Sequence, residues 1–244
     1  MIKLALIQNY LFYTGFISEI IPLIFCILFY KKLNTKALKV FFIYAILLCF
    51  FSSLSLLILK VIKDRTTYFF VIRLFNICEF TTIAIFIYHI LKVDIARKIV
   101  LYTIPPFIIY AIVDYLLTEK NQFNNHSNVV SALLIILFII YYFFEKMKTV
   151  VMYPLYQSIS FWICVGLFLN FTGIFFFILF INSSTDKEFK ILMNSIVGIV
   201  TLTKNILLCL SLFATENTEQ EDDELHIPND MDLGEFSLTN LKNP

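Results

Sequence analysis

The sequence predicts an all-α, polytopic integral membrane protein: a seven-helix transmembrane bundle with its amino terminus outside and its carboxyl terminus in the cytoplasm. Three observations predict it. Hydrophobic residues make up 59% of the chain and charged residues 15%, with a mean hydropathy of +0.83, which no soluble globular domain approaches. Apolar stretches of membrane-spanning length recur through the first 214 of the 244 residues, separated by short connections, so the chain has no room for an added globular domain. The polar residues inside those stretches fall at helical spacing rather than at random.

Met1 to Tyr10 holds one lysine and no small-residue cleavage site behind a short apolar core, so the first span is expected to stay attached. That span covers 11–30 and carries Glu19 and Pro22 well inside, a proline being tolerated where neighbouring helices satisfy the freed carbonyl. Lys31, Lys32, Lys36 and Lys39 close it. The second span, 40–59, has the serines Ser52, Ser53 and Ser55 as its polar groups; they can bond to their own helix backbone, and the span reads as packing material. Lys60, Lys63, Asp64 and Arg65 form the next loop.

The third span, 68–91, organises the chain. It is apolar enough to cross a bilayer yet carries Arg73, Asn76 and Glu79 at three-residue spacing, which a helix places on one broad face. Each charge would cost about 2.5 to 3.5 kcal/mol in hydrocarbon, so this face is expected to look into a protein interior or a wet cavity. His89 falls at the boundary, where a structural, interfacial role is expected.

The fourth span, 99–117, contains Asp114 and the pair Pro105 and Pro106, which remove two amide donors and predict a kink. A polar, asparagine-rich connection follows, then an uninterrupted apolar fifth span, 129–144, that reads as lipid-facing or purely structural. In the sixth span, 157–181, Trp162, Gly166, Asn170 and Gly173 recur at four, four and three residues and share one face. The seventh, 189–213, repeats this with Asn194, Gly198, Thr201 and Asn205. Such stripes predict close helix packing, with asparagines bonding across the contact. Lys204 stands about 80° to one side of its stripe. It lies too far from either end to snorkel, so a buried partner or an aqueous pocket is expected.

Outside the spans, ten Lys and Arg fall on the side of the carboxyl terminus against seven on the other, which sets the orientation. At 1.5 Å of rise per residue, Asp114 lies about 5 Å below the outer boundary, Arg73 about 8 Å, Glu19 about 12 Å, Glu79 about 16 Å and Lys204 about 20 Å. Depth therefore suggests that Arg73 pairs with Asp114 or Glu19, and Glu79 with Lys204. The ligand or polar-core candidates are Arg73, Asn76, Glu79, Asn194, Lys204, Glu19 and Asp114.

The chain divides into this bundle, 1–214, and a tail, 215–244, with nine acids against Lys242 alone. The tail carries −8 while the rest carries +9, so it is expected to be a disordered cytoplasmic segment, with Leu233, Phe236, Leu238 and Leu241 as candidate anchors for a docking partner. Cys26, Cys49, Cys78, Cys164 and Cys209 lie in or at the edges of spans and behave as small apolar residues. His89, His126 and His226 are far apart, so no metal site is expected, and no phosphate-cradling glycine loop or nucleophile elbow is present. A retinal-binding role for Lys204 fits poorly: Val200 stands where microbial rhodopsins usually place an aspartate, and Asn76 stands at the usual carboxylate position after Arg73. No cofactor and no nucleic-acid partner are expected.

Asn76 to Glu79 with the apolar run to Tyr88, Phe161-Trp162-Ile163 with Gly166 and Gly173, and Thr203-Lys204-Asn205 together resemble uncharacterised seven-helix membrane proteins of Bacteroidetes. The likeness covers roughly 40–213, and the acidic tail departs from it. Members are often encoded beside sensor histidine kinases, so the resemblance implies a membrane sensing role, expected here of a non-enzymatic module in the bacterial inner membrane. Such a module would bind a small or lipid-borne ligand in an outer-half polar pocket and signal to a partner such as a histidine kinase, through its helices or its tail. The alternatives are an accessory subunit of a larger cell-envelope complex and, third, a transporter or intramembrane lipid enzyme using Glu79 and Lys204.

Overall fold

The computed structural model describes residues 10, 11, 13–117, 126–148, 157–181 and 187–214, and these are organised entirely in helices and their connections. Helix α1 is Tyr13–Leu28, α2 is Lys36–Leu57, α3 is Arg65–Ile90, α4 is Asp94–Leu117, α5 is His126–Lys148, α6 is Ile159–Ile181 and α7 is Lys187–Ser211. The six helices α2 to α7 are long and apolar enough to cross a membrane, whereas α1 is a shorter apolar helix. The candidate anchors Leu233, Phe236, Leu238 and Leu241 lie outside the described residues.

Proline explains why α1 is interrupted. Pro22 has no amide to give to the Ser18 carbonyl and its ring crowds that carbonyl, and a turn stands at Glu19, whose amide bonds Phe16 O at 3.3 Å. Pro105 and Pro106 have a milder outcome: both are exposed and α4 remains one helix through them. Helix α2 runs on past the expected boundary as a π turn over Ile58–Ile62, closed by Lys63 in a left-handed conformation at φ 55°.

Three caps set where the helices begin. Thr35 Oγ1 accepts the Leu38 amide at 3.3 Å to start α2. Asp64 starts α3, its Oδ1 accepting from Thr66 N at 3.0 Å and its Oδ2 from Thr67 N at 3.2 Å and Thr67 Oγ1 at 2.5 Å. At α4 the cap comes from another helix, since Glu145 Oε1 near the end of α5 accepts Lys92 N at 2.6 Å and Val93 N at 3.2 Å. A carboxylate suits a helix start because the free amides and the helix dipole both favour negative charge there.

Helix α3 packs against α2, α4 and α5; α6 joins α5 to α7; and α1 joins α7 back to α2, closing the bundle. Half of the apolar window of α3 is buried, more than in the other five long helices, which makes it the central one. The core on it is aromatic and aliphatic, with Phe80 of α3 against Phe107 of α4 at 4.0 Å between ring centroids. One end of the bundle gathers the connection after α1, the α3–α4 turn and the ends of α5 and α7: Lys32 Nζ donates to Leu212 O at 3.1 Å there, and Phe29 meets Phe213. The start of α3 at Asp64 marks the opposite end.

Small residues let α6 and α7 approach closely. A Cβ added at Gly173 would lie 2.8 Å from Val200 Cγ1 and 3.2 Å from Val200 Cβ, and one at Gly166 would lie 3.4 Å from the Lys204 carbonyl oxygen. Gly198 meets Leu11 in the same way, its added Cβ falling 3.0 Å from Leu11 Cβ. Gly173→Ala is therefore expected to destabilise the protein by about 1 to 3 kcal/mol. Thermal unfolding in detergent should show the loss, with most of it recovered in Gly173→Ala/Val200→Ala and none seen in Gly15→Ala, where nothing lies within 4 Å.

The cap at Asp64 yields a second expectation. The Thr67 hydroxyl and the Thr66 and Thr67 amides hold this carboxyl below its usual range. A depressed folded pKa stabilises the folded form above the unfolded pKa, and that contribution is lost as pH falls through the folded pKa. Asp64→Ala should speed hydrogen exchange at Thr66 and Thr67 at neutral pH, while Asp64→Asn, a competent cap, should leave it close to wild type. Equal exchange in all three proteins would remove the cap from the account.

Candidate functional site

Polar side chains inside the bundle form two clusters, and α3 contributes to both. The first lies midway along α3. Glu79, 8% exposed, accepts the Tyr44 hydroxyl of α2 through Oε1 at 3.0 Å. Lys204 of α7, 2% exposed, interacts electrostatically with both Glu79 and Glu19 of α1, and the two glutamates also sense each other. Among the described residues the Lys204 ammonium makes no hydrogen bond and no contact ion pair. One cation thus faces two carboxylates, with a phenol locking one of them.

Local features put these groups there. The turn before Pro22 positions Glu19, and Gly166 brings the α6 backbone onto the Lys204 carbonyl. Asn205, next to Lys204, donates through Nδ2 to Ser18 Oγ at 2.7 Å, and Ser18 donates in turn to Gly15 O at 2.6 Å. The link fixes α7 against α1 one residue from each charge.

The second cluster lies nearer the Asp64 end, between α3, α4 and α5. Asn76 Oδ1 accepts from Ser131 Oγ at 2.8 Å, and its Nδ2 reaches Ser127 Oγ at 3.5 Å. Asp114 Oδ2 accepts the Ser127 amide at 3.3 Å, at the start of α5. Arg73 uses Nη1 on Tyr115 O at 3.5 Å and sets its Cζ 5.2 Å from the Tyr115 ring centroid.

The structure sorts the sequence candidates accordingly. Glu19, Glu79 and Lys204 come together in the central cluster, and Arg73, Asn76 and Asp114 lie in the other. Arg73 contacts neither Asp114 nor Glu19 as an ion pair; it binds Tyr115 instead. Asn194 joins neither cluster and is exposed on α7. Of the packing stripes, Gly166, Asn170 and Asn205 are buried, and Trp162, Gly173, Gly198 and Thr201 are partly buried.

Sequence reasoning missed Tyr44, Ser127, Ser131 and Glu145. The second span holds a polar group beyond its serines, since the Tyr44 hydroxyl serves Glu79. The fifth span is not uniformly apolar either, because Ser131 turns inward to Asn76. Helical spacing carried a signal: Ser127 and Ser131 stand four apart on one face of α5.

Among the described residues no group of three or more His, Cys, Asp and Glu is placed to hold a metal ion, and the five cysteines are free thiols. A cavity of about 460 Å³ opens between α4 and α5, lined on α4 by Ile99, Tyr102, Pro106 and Tyr110 and on α5 by Val130 and Leu134. It is apolar and separate from both polar clusters. No protein-family model matches the chain, and no curated protein and no solved structure matches it.

The central cluster makes a sharp expectation. Lys204→Met leaves the buried Glu79 and the partly buried Glu19 without their cation and should cost about 1 to 3 kcal/mol. Lys204→Met/Glu79→Leu should lose less than Lys204→Met alone, because the second change removes the stranded charge. Additive losses in thermal unfolding would show that Glu79 and Lys204 do not form one electrostatic unit.

Proposed function

We propose that the chain is a seven-span module of a bacterial inner membrane, with α1 as its first span and its amino terminus outside, which senses a small or lipid-borne ligand and signals to a cytoplasmic partner such as a sensor histidine kinase. The ligand enters the cluster of Arg73, Asn76 and Asp114, and the central cluster of Glu19, Tyr44, Glu79 and Lys204 registers the change. The observation that carries this reading is the sharing of α3. A contact that shifts α3 at Asn76 also shifts Glu79, one turn further along, against α1, α2 and α7. Signalling is then a population shift between two packings, each favoured by its own contacts. The orientation is supported by Lys31, Lys32, Lys36, Lys39, Lys92, Arg97, Lys98, Lys146 and Lys148, which belong to the end of the bundle where α7 finishes. The resemblance to seven-helix proteins encoded beside histidine kinases supports the choice of partner.

A second reading, an accessory subunit of a larger envelope assembly, is favoured by one observation. Asn194 is exposed on an α7 face that it shares with the partly buried Ile191, Val197 and Gly198, a polar group among apolar ones that suits a contact with another transmembrane helix.

Affinity purification in mild detergent, of the full chain and of a version ending at Thr215, separates the two. Sensing with coupling through the helices predicts that both versions recover a histidine kinase. Recovery of an envelope assembly, lost on Asn194→Leu, would replace sensing with the accessory role.

A further inference from the structure

Arg73 is 7% exposed, and among the described residues its charge is not answered by any carboxylate in contact with it. Among the described residues Nη1 reaches a single backbone carbonyl, at the long distance of 3.5 Å, and Nη2 has no hydrogen-bond partner. The neighbouring polar groups are engaged elsewhere: Asp114 accepts the Ser127 amide, and Asn76 bonds Ser131 and Ser127. A guanidinium presents its donors as a planar fork, and burying charged donors unsatisfied costs more than burying any neutral group.

The flank beside this guanidinium is apolar and faces outward. Phe70 and Leu74, on either side of Arg73 in α3, are 47% and 42% exposed, and Phe70 packs on Tyr115 at 5.7 Å between centroids. On α4, Leu116 and Leu117 are more exposed still. Tyr115 stands two residues from the end of α4, about 3 Å of helix rise. In the orientation proposed above, the start of α3 and the end of α4 face a membrane surface, where headgroup phosphates would lie and acyl chains would run along such a flank.

We propose that Arg73 anchors a phosphate site between α3 and α4, in which Nη1 and Nη2 hold two phosphate oxygens as a fork and Tyr115 supports the guanidinium from its ring face. The phosphate is that of an anionic lipid entering from the side. The proposal rests on the reading that this cluster receives the ligand, and it names the ligand's chemical class.

The test uses the purified full chain in mild detergent, with adducts counted by native mass spectrometry and the unfolding midpoint followed during titration. The probes are phosphatidylglycerol, inorganic phosphate and, as a phosphate-free lipid, diacylglycerol. Phosphatidylglycerol should bind and raise the midpoint, diacylglycerol should not, and competition by inorganic phosphate would identify a soluble phosphate as a second source for the same site. Arg73→Lys, which keeps the charge but not the fork, should bind about tenfold more weakly. Arg73→Gln should not bind, and Lys98→Gln, an exposed cation at the other end, should bind as wild type does. Failure of phosphatidylglycerol and phosphate to exceed diacylglycerol would overturn the proposal, as would undiminished affinity in Arg73→Lys, the deciding variant if Arg73→Gln is not recovered folded. These readouts need no partner, so their failure and the failure of partner capture are separate results.

Discussion

Helix α3 carries an arginine, an asparagine and a glutamate through the interior of an apolar bundle, and the arrangement of its neighbours follows from covering those three groups. Each polar group withdrawn from water must find a partner or remain costly. Glu79 takes the Tyr44 hydroxyl from α2 and the field of Lys204 from α7, while Asn76 takes two serines from α5. Because these partners come from opposite sides, α3 sits in the middle of the bundle and is the most buried of its six long helices.

The two clusters differ in how completely they are satisfied. Around Glu79, a hydroxyl and a cation meet two carboxylates, and the backbone devices that deliver them are specific: a turn before Pro22, a glycine against the Lys204 carbonyl, an asparagine tied to Ser18. Around Arg73 the asparagine is matched to serines, Asp114 to the Ser127 amide, and the arginine, among the described residues, to a carbonyl and an aromatic ring. The first cluster ties α1, α2, α3 and α7 together; the second leaves Arg73 Nη2 without a hydrogen bond among the described residues. Helix α3 contributes a side chain to each, Glu79 to the first and Asn76 to the second.

The helical layout was legible because its signals are local. Hydropathy over some twenty residues marks a crossing helix, and three-residue spacing puts Arg73, Asn76 and Glu79 on one face whatever surrounds them. The shortening of α1 was half legible: Pro22 was visible, but not whether neighbouring helices would absorb its lost donor. Asn194 shows the limit of stripe reasoning. It shares a helical stripe with Gly198 and Asn205, yet it stands two turns or more away from where α7 meets α1 and α6 at Lys204, and there the same face is open.

By itself the sequence determined the class of molecule, the number of apolar helices and the groups that must be hidden, because composition and periodicity act residue by residue. Tertiary structure decided the partners. Arg73 met Tyr115 rather than an acid, Glu145 crossed to cap α4, and Tyr44 and Ser131 became polar neighbours of α3. The physical reason is that depth along an axis is written in one chain segment, whereas the angle at which a second helix presents its side chains depends on every packed contact between them.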